Sequence, residues 1–352
     1  MTLKLKALSA AAAAGPKQYV FVNSNNNTYI HAYRWSSSGF GTKFSNPATL
    51  PTGTGNGVAV TSAGDAVAVA HNTSPYITVY PWSDTGFGTK FSDPGTLPGG
   101  NANGVAFTSS GNALAVVYSA AGPFINAYPW SGSGFGAKFS NPAVSPAGTG
   151  RGVTFTSSGN VVAMAHDADP YVTAWAWSGS GFGTKFSDPA VKPDGNARSV
   201  AFTDAADAVA VAHLQAIFGP PNRYITAYPW SGSGFGTRFS NPATLPTGNA
   251  RGVAFSHAGN ALAVAHDTSP YITVYPWSGS GFGTKFSDPA SVPAGDGRSV
   301  TFSASDDVLF VGHATSPRIT AYPWSGSGFG TKFSDPATVP TGDGNGVAFL
   351  EV

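Results

Sequence analysis

Seven tryptophans, each followed by serine, govern what this chain can fold into: Trp35, Trp82, Trp130, Trp177, Trp230, Trp277 and Trp324, spaced 47, 48, 47, 53, 47 and 47 residues apart. A unit of this length in tandem builds a solenoid or a propeller, and the number of strands per unit decides between them. In the copy that starts at Gly252, GVAF reads as one short strand, ALAVAH as a second, YITVYPW as a third and the stretch around TKFS as a weaker fourth, with glycine- or proline-rich turns between them. Four strands per unit make a propeller blade. In the second strand Leu262, Val264 and His266 share one face and Ala261, Ala263 and Ala265 the other, so a bulky face is expected to pack on one blade and a small face to receive the next. In the third strand Tyr271, Thr273, Tyr275 and Trp277 are expected on one side.

The chain ends make the ring close. The sequence stops at GNGVAFLEV, a first strand with nothing after it, while residues 18–46 supply a second, third and fourth strand with no first. Pairing Val347–Leu350 with Tyr19–Val22 completes the seventh blade and removes an exposed sheet edge. The fold class is therefore all-β, a closed seven-bladed β-propeller of four-stranded blades, the last completed by both chain ends. The expected organisation is an N-terminal arm over residues 1–17 and a propeller over 18–352. Lys4, Lys6 and the alanine run of the arm imitate a secretory signal only weakly, because alanine makes a poor apolar centre.

Charge is sparse: 10% of residues are charged and the net charge is +1, which gives no broad attraction for nucleic acid or an anionic membrane. No stretch approaches the ~18 apolar residues of a membrane span, so no membrane insertion is expected. Cysteine is absent, which removes disulfides, thiolate metal sites and thiol nucleophiles.

The segments GVAF, ALAVAH and YITVYPW resemble the first three strands of WD-repeat propellers, although serine after tryptophan, as in Trp82-Ser83, departs from that family's terminal Trp-Asp. Units of the form GFGTKFS[DN]PATLPTGxGxGVAF resemble, more closely, propeller repeats of tailed-bacteriophage structural proteins, over residues 18–352. That resemblance implies a non-enzymatic virion protein of the tail, baseplate or particle surface, acting as a protein-protein or host-surface interaction platform. A lectin-like propeller is the alternative, with Tyr76, Tyr171, Tyr224 and Tyr271 available to stack on sugars, and a hydrolase comes third. Localisation in the virion follows from the first reading; secretion or the cell surface would follow from the second.

Motifs for chemistry are few. His71, His166, His213, His266 and His313 recur at one position, with Tyr118 and Asn23 in the other two blades, and continue the bulky face of the second strand. Ligands one per blade cannot easily meet at the ~2.0–2.1 Å a zinc ion demands, so a structural role is expected. The GSGFG segments lie between strands, without the helix start that a phosphate loop needs. Asp167 and Asp169 lack the later ligands of a calcium loop. No cofactor, metal or catalytic residue is expected.

Two features break the repeat. The residue just before the first strand is Asn56, Asn103, Arg151, Arg198, Arg251, Arg298 and Asn345. The WD-repeat resemblance implies that the first strand lines the central channel, so the four arginines are expected to form an arc on one side of its mouth, either packing over neighbours and capping loop carbonyls or binding an anion, an acidic glycan or an acidic partner. The 53-residue interval holds an insertion, residues 214–223, where Leu214, Ile217, Phe218 and Arg223 are expected to contact a partner. Other virion proteins, met through this loop and the N-terminal arm, are the expected partners, with a host-surface glycan as a further one.

Overall fold

The computed structural model describes residues 15–120, 122–215 and 223–352. Its strands form seven four-stranded antiparallel sheets arranged as a propeller, with no helix among the described residues. The seventh sheet takes its innermost strand, Gly344–Glu351, from the C-terminus and its other three from residues 18–43. Tyr19 pairs with Leu350 and Val22 with Val347, the expected register. Backbone bonds in both directions between Lys17 and Val352 continue the pairing. Residues 1–14 of the expected arm lie outside the described residues.

The two faces of the second strand are used as the alternation predicts. Leu262 and Val264 pack with Ala208, Ala210 and Ala212 of the preceding blade, while Ala261, Ala263 and Ala265 receive Leu309 and Val311 of the following one. The tryptophans lock the blades together. The Trp82 ring meets Phe44 of the preceding blade at 4.9 Å and Phe87 of its own at 5.0 Å, both edge-on. Such pairs contribute about 0.5–1.5 kcal/mol each beyond area burial, and equivalents recur around Trp130, Trp177, Trp230, Trp277 and Trp324.

Two local expectations are corrected. The outermost strand is the Gly-Phe pair, as in Gly281–Phe282, and reaches Lys43 and Lys185 in only two blades. The glycine there has positive φ, +102° at Gly281, which a side chain would strain. Tyr271 is a turn residue with φ of 67°, outside the strand Ile272–Ser278, so it does not share a face with Thr273.

Candidate functional site at the channel mouth

The innermost strands ring a central channel and approach closely: a Cβ on Gly252 would lie 2.8 Å from Ser299 Cα of the next blade. Near one end, each of these strands carries a β-bulge. In blade 3, Gly150 pairs with His166 and Gly152 with Ala165, leaving Arg151 unpaired between them. The same shift isolates Asn56, Asn103, Arg198, Arg251, Arg298 and Asn345. The sequence placed these residues just ahead of the first strand; they lie within it, and the bulge re-aims their side chains toward the mouth.

The ring divides into two arcs. Each asparagine donates its amide nitrogen to a carbonyl of the next blade: Asn345 to Gly55 at 2.9 Å, Asn56 to Ala102 at 2.8 Å and Asn103 to Gly150 at 2.7 Å. The arginines follow in blades 3–6. Arg151 pairs with Asp167 at 2.9 Å, Arg251 with Asp267 at 3.3 Å and Arg298 with Asp343 at 3.0 Å. Arg198 has no acidic partner among the described residues. The position that holds Asp167 and Asp267, directly after the blade histidine, is Leu214 in blade 4. Burial pushes the Arg198 guanidinium down to about 10, and the neighbouring Arg151 and Arg251 charges add to this. It stays cationic near neutral pH.

Both arcs line one open cavity of about 400 Å³, with Asn25, Thr54 and Asp343. The Nε atoms of all four arginines are buried without a hydrogen-bond partner. A throat of about 210 Å³, walled by the glycines and valines of the innermost strands, is lined by the same arginines. Guanidinium groups around a concave polar site suit an anionic or strongly accepting ligand.

The other sequence candidates are accounted for by local structure. His71, His166, His266 and His313 are buried, with Nε2 at 2.9 Å from Thr78, Thr173, Thr273 and Thr320, and His213 lies at 3.0 Å from Thr226. Each pair is internal to one blade, the structural role expected. Tyr118 instead meets Asn126 at 3.2 Å, and in blade 7 the order reverses, with Asn23 on the second strand and His31 on the third. Desolvation depresses these histidines, His31 included, to about 4. Asp167 and Asp169 take separate cationic partners, Arg151 and Lys192. In the 214–223 insertion Leu214 is half-buried, and Arg223 pairs with Asp194. Ile217 and Phe218 lie outside the described residues.

No protein-family model matches the chain, and no curated protein matches it. Solved structures do. The periplasmic gluconolactonase PpgL of Pseudomonas aeruginosa superposes with a TM-score of 0.73 at 14% identity, over 95% of this chain and 99% of its own. A Bacteroides fragilis protein described provisionally as a 6-phosphogluconolactonase gives 0.71 at 12% identity, over 96% and 99%. A Bacteroides uniformis protein with the same provisional description gives 0.69 at 13%, over 95% and 99%. At such identities the likeness establishes the fold, a seven-bladed propeller, and no more. These likenesses lend no support to a WD-repeat or phage resemblance, and they overturn the expectation of a non-enzymatic virion component of the tail, baseplate or particle surface. The three similar structures described above carry gluconolactonase or 6-phosphogluconolactonase names and no virion name. The segments that carried the phage resemblance are used in building blades: Phe44 packs on Trp82, and Lys185 pairs with Asp188 at 2.5 Å. They therefore report architecture and not role.

Proposed function

We propose that the chain is a lactonase-like propeller that receives a sugar lactone in the mouth of its channel and hydrolyses the ring ester. The observation that carries this reading is Arg198, a guanidinium in the cavity whose neighbours on the arc are neutralised by aspartates while it has no acid of its own. The names borne by propellers of like fold supply the reaction class.

In this reaction the oxygen of water bonds to the carbonyl carbon, and charge develops on the former carbonyl oxygen. The ring C–O bond then breaks, and the ring oxygen leaves as a hydroxyl with the proton given up by water, yielding an open hydroxy acid. Fixed donors aimed at the developing charge are commonly the largest contribution to such catalysis, and Arg198 takes that part. Asp343 is the one carboxylate lining the cavity among the described residues, and it carries the proton between water and leaving oxygen. Arg298 and Arg318 pair with it at 3.0 and 2.7 Å and hold its position beside the cavity.

The test is acid release from glucono-δ-lactone and its 6-phosphate, measured against the buffer blank. The protein should exceed the blank, and Arg198→Asn, which imitates three other blades, should lose about a hundredfold in rate. A rate equal to the blank for both lactones defeats the reading.

A further inference from the structure

The asparagine arc has a chemistry of its own. Each of Asn56, Asn103 and Asn345 commits its amide nitrogen to a carbonyl of the next blade. A carbonyl can only accept, so the nitrogen is fixed on that side and the Oδ1 atom is the one left facing the cavity, which all of these residues line. No protein donor reaches these oxygens among the described residues. They are acceptors in three consecutive blades, each oriented by its amide's bond to the next blade. Across the mouth, the cavity-lining side chains of blades 3–6 are the four arginines, all donors, with the Asp343 carboxylate held against Arg298. A hydroxyl donates to an amide oxygen, whereas a carboxylate or oxyanion cannot.

We infer that the mouth is bipolar and selects one class of ligand in one orientation: a polyhydroxylated chain with a single acidic or carbonyl end, that end on Arg198 and its hydroxyls on Asn56, Asn103 and Asn345. The inference rests on the lactonase reading for the carbonyl end, but concerns specificity, and can be tested with ligands that do not react. The asparagines are positioning residues; they touch the part of the ligand away from the bond that breaks.

The experiment is calorimetric titration of the whole chain with gluconate, which has both features, with propionate, which has only the carboxylate, and with sorbitol, which has only the hydroxyls. Gluconate should bind at least tenfold more tightly than either fragment-like probe, since each hydroxyl bond adds up to about tenfold. Asn103→Arg, the residue that blades 3–6 use at this position, keeps the bulge occupied but replaces an acceptor by donors. It should cut gluconate affinity about tenfold and leave propionate unchanged or tighter. Arg198→Asn should weaken gluconate and propionate alike and leave sorbitol unchanged. Equal affinities for gluconate and propionate, equal losses for both in Asn103→Arg, or no binding of gluconate would overturn the bipolar site. Lactone hydrolysis without a hydroxyl preference would sink this inference alone, whereas a hydroxyl preference without hydrolysis would sink the enzymatic reading alone.

Discussion

The histidine layer and the arginine arc both place one polar residue per blade at a fixed position, and they end in opposite states. His71, His166, His213, His266 and His313 are buried and each meets a threonine of its own blade. Arg151, Arg198, Arg251 and Arg298 line an open cavity, and their Nε atoms lack partners. Repetition with a partner supplied in every copy is a packing device. Repetition in which one copy loses its partner, as Arg198 does where Leu214 replaces an aspartate, leaves a charge that a ligand can use.

Opening the ring would break both regions at once. Deleting residues 346–352 removes most of the strand that pairs with Tyr19–Val22 and bares the edge of the seventh blade. The expected outcome is loss of the cooperative melting transition and aggregation; an unchanged melting curve would show that the blade does not need its C-terminal strand.

Acid should act on the histidine layer. The buried histidines, with His31, titrate near 4 when folded and near 6.5 when unfolded. The unfolded chain therefore takes up protons first. Stability is complete above about pH 6.5 and is lost as pH falls toward 4, by up to about 3 kcal/mol for each histidine. Since a domain holds only about 5–15 kcal/mol in all, denaturant midpoints measured from pH 7 to 4 should fall steeply and reach unfolding before every histidine is protonated. A midpoint flat over that range would refute the depressed values.

Single substitutions sharpen the contrast. His266→Ala leaves a cavity and deprives Thr273 of its partner, and should cost about 2–4 kcal/mol. Arg251→Asn, which imitates blades 1, 2 and 7, should stay within about 1 kcal/mol of the parent. If the arginine change cost as much as the histidine change in chemical denaturation, the arc would be structural after all.

The smallest effect on stability and the most telling on binding belongs to Leu214→Asp, which restores at blade 4 the acid that blades 3 and 5 possess. Arg198 should then be neutralised and gluconate affinity fall about tenfold, with stability changed by no more than about 1 kcal/mol. Retained affinity in this variant would show that the free charge of Arg198 is not what binds.

Much of the architecture is legible in the residues themselves. The tryptophan spacing sets seven units, the alternation of Leu262, Val264 and His266 with alanines sets which face is bulky, and a first strand missing at one end and present at the other sets closure. These are local signals, because strand period and turn chemistry act over a few residues. The arc itself is visible as an interruption of asparagine by arginine. What could not be read is the bulge that turns these residues into the mouth, since a register shift exists only between paired strands. The inequality of the four arginines also required the fold. Arg198 and Leu214 are 16 residues apart in sequence, and the pairing of Ala197 with His213 sets Leu214 where blades 3 and 5 hold the aspartate that pairs with the arginine, while Arg298 takes its acid, Asp343, from the next blade. The sequence by itself determined the ring and the residue types around it, through periodicities that each strand carries alone. Tertiary structure decided which charge stays unpaired and which amide oxygens face the cavity, because electrostatic and hydrogen-bond pairing depend on distances that only the closed ring brings within reach.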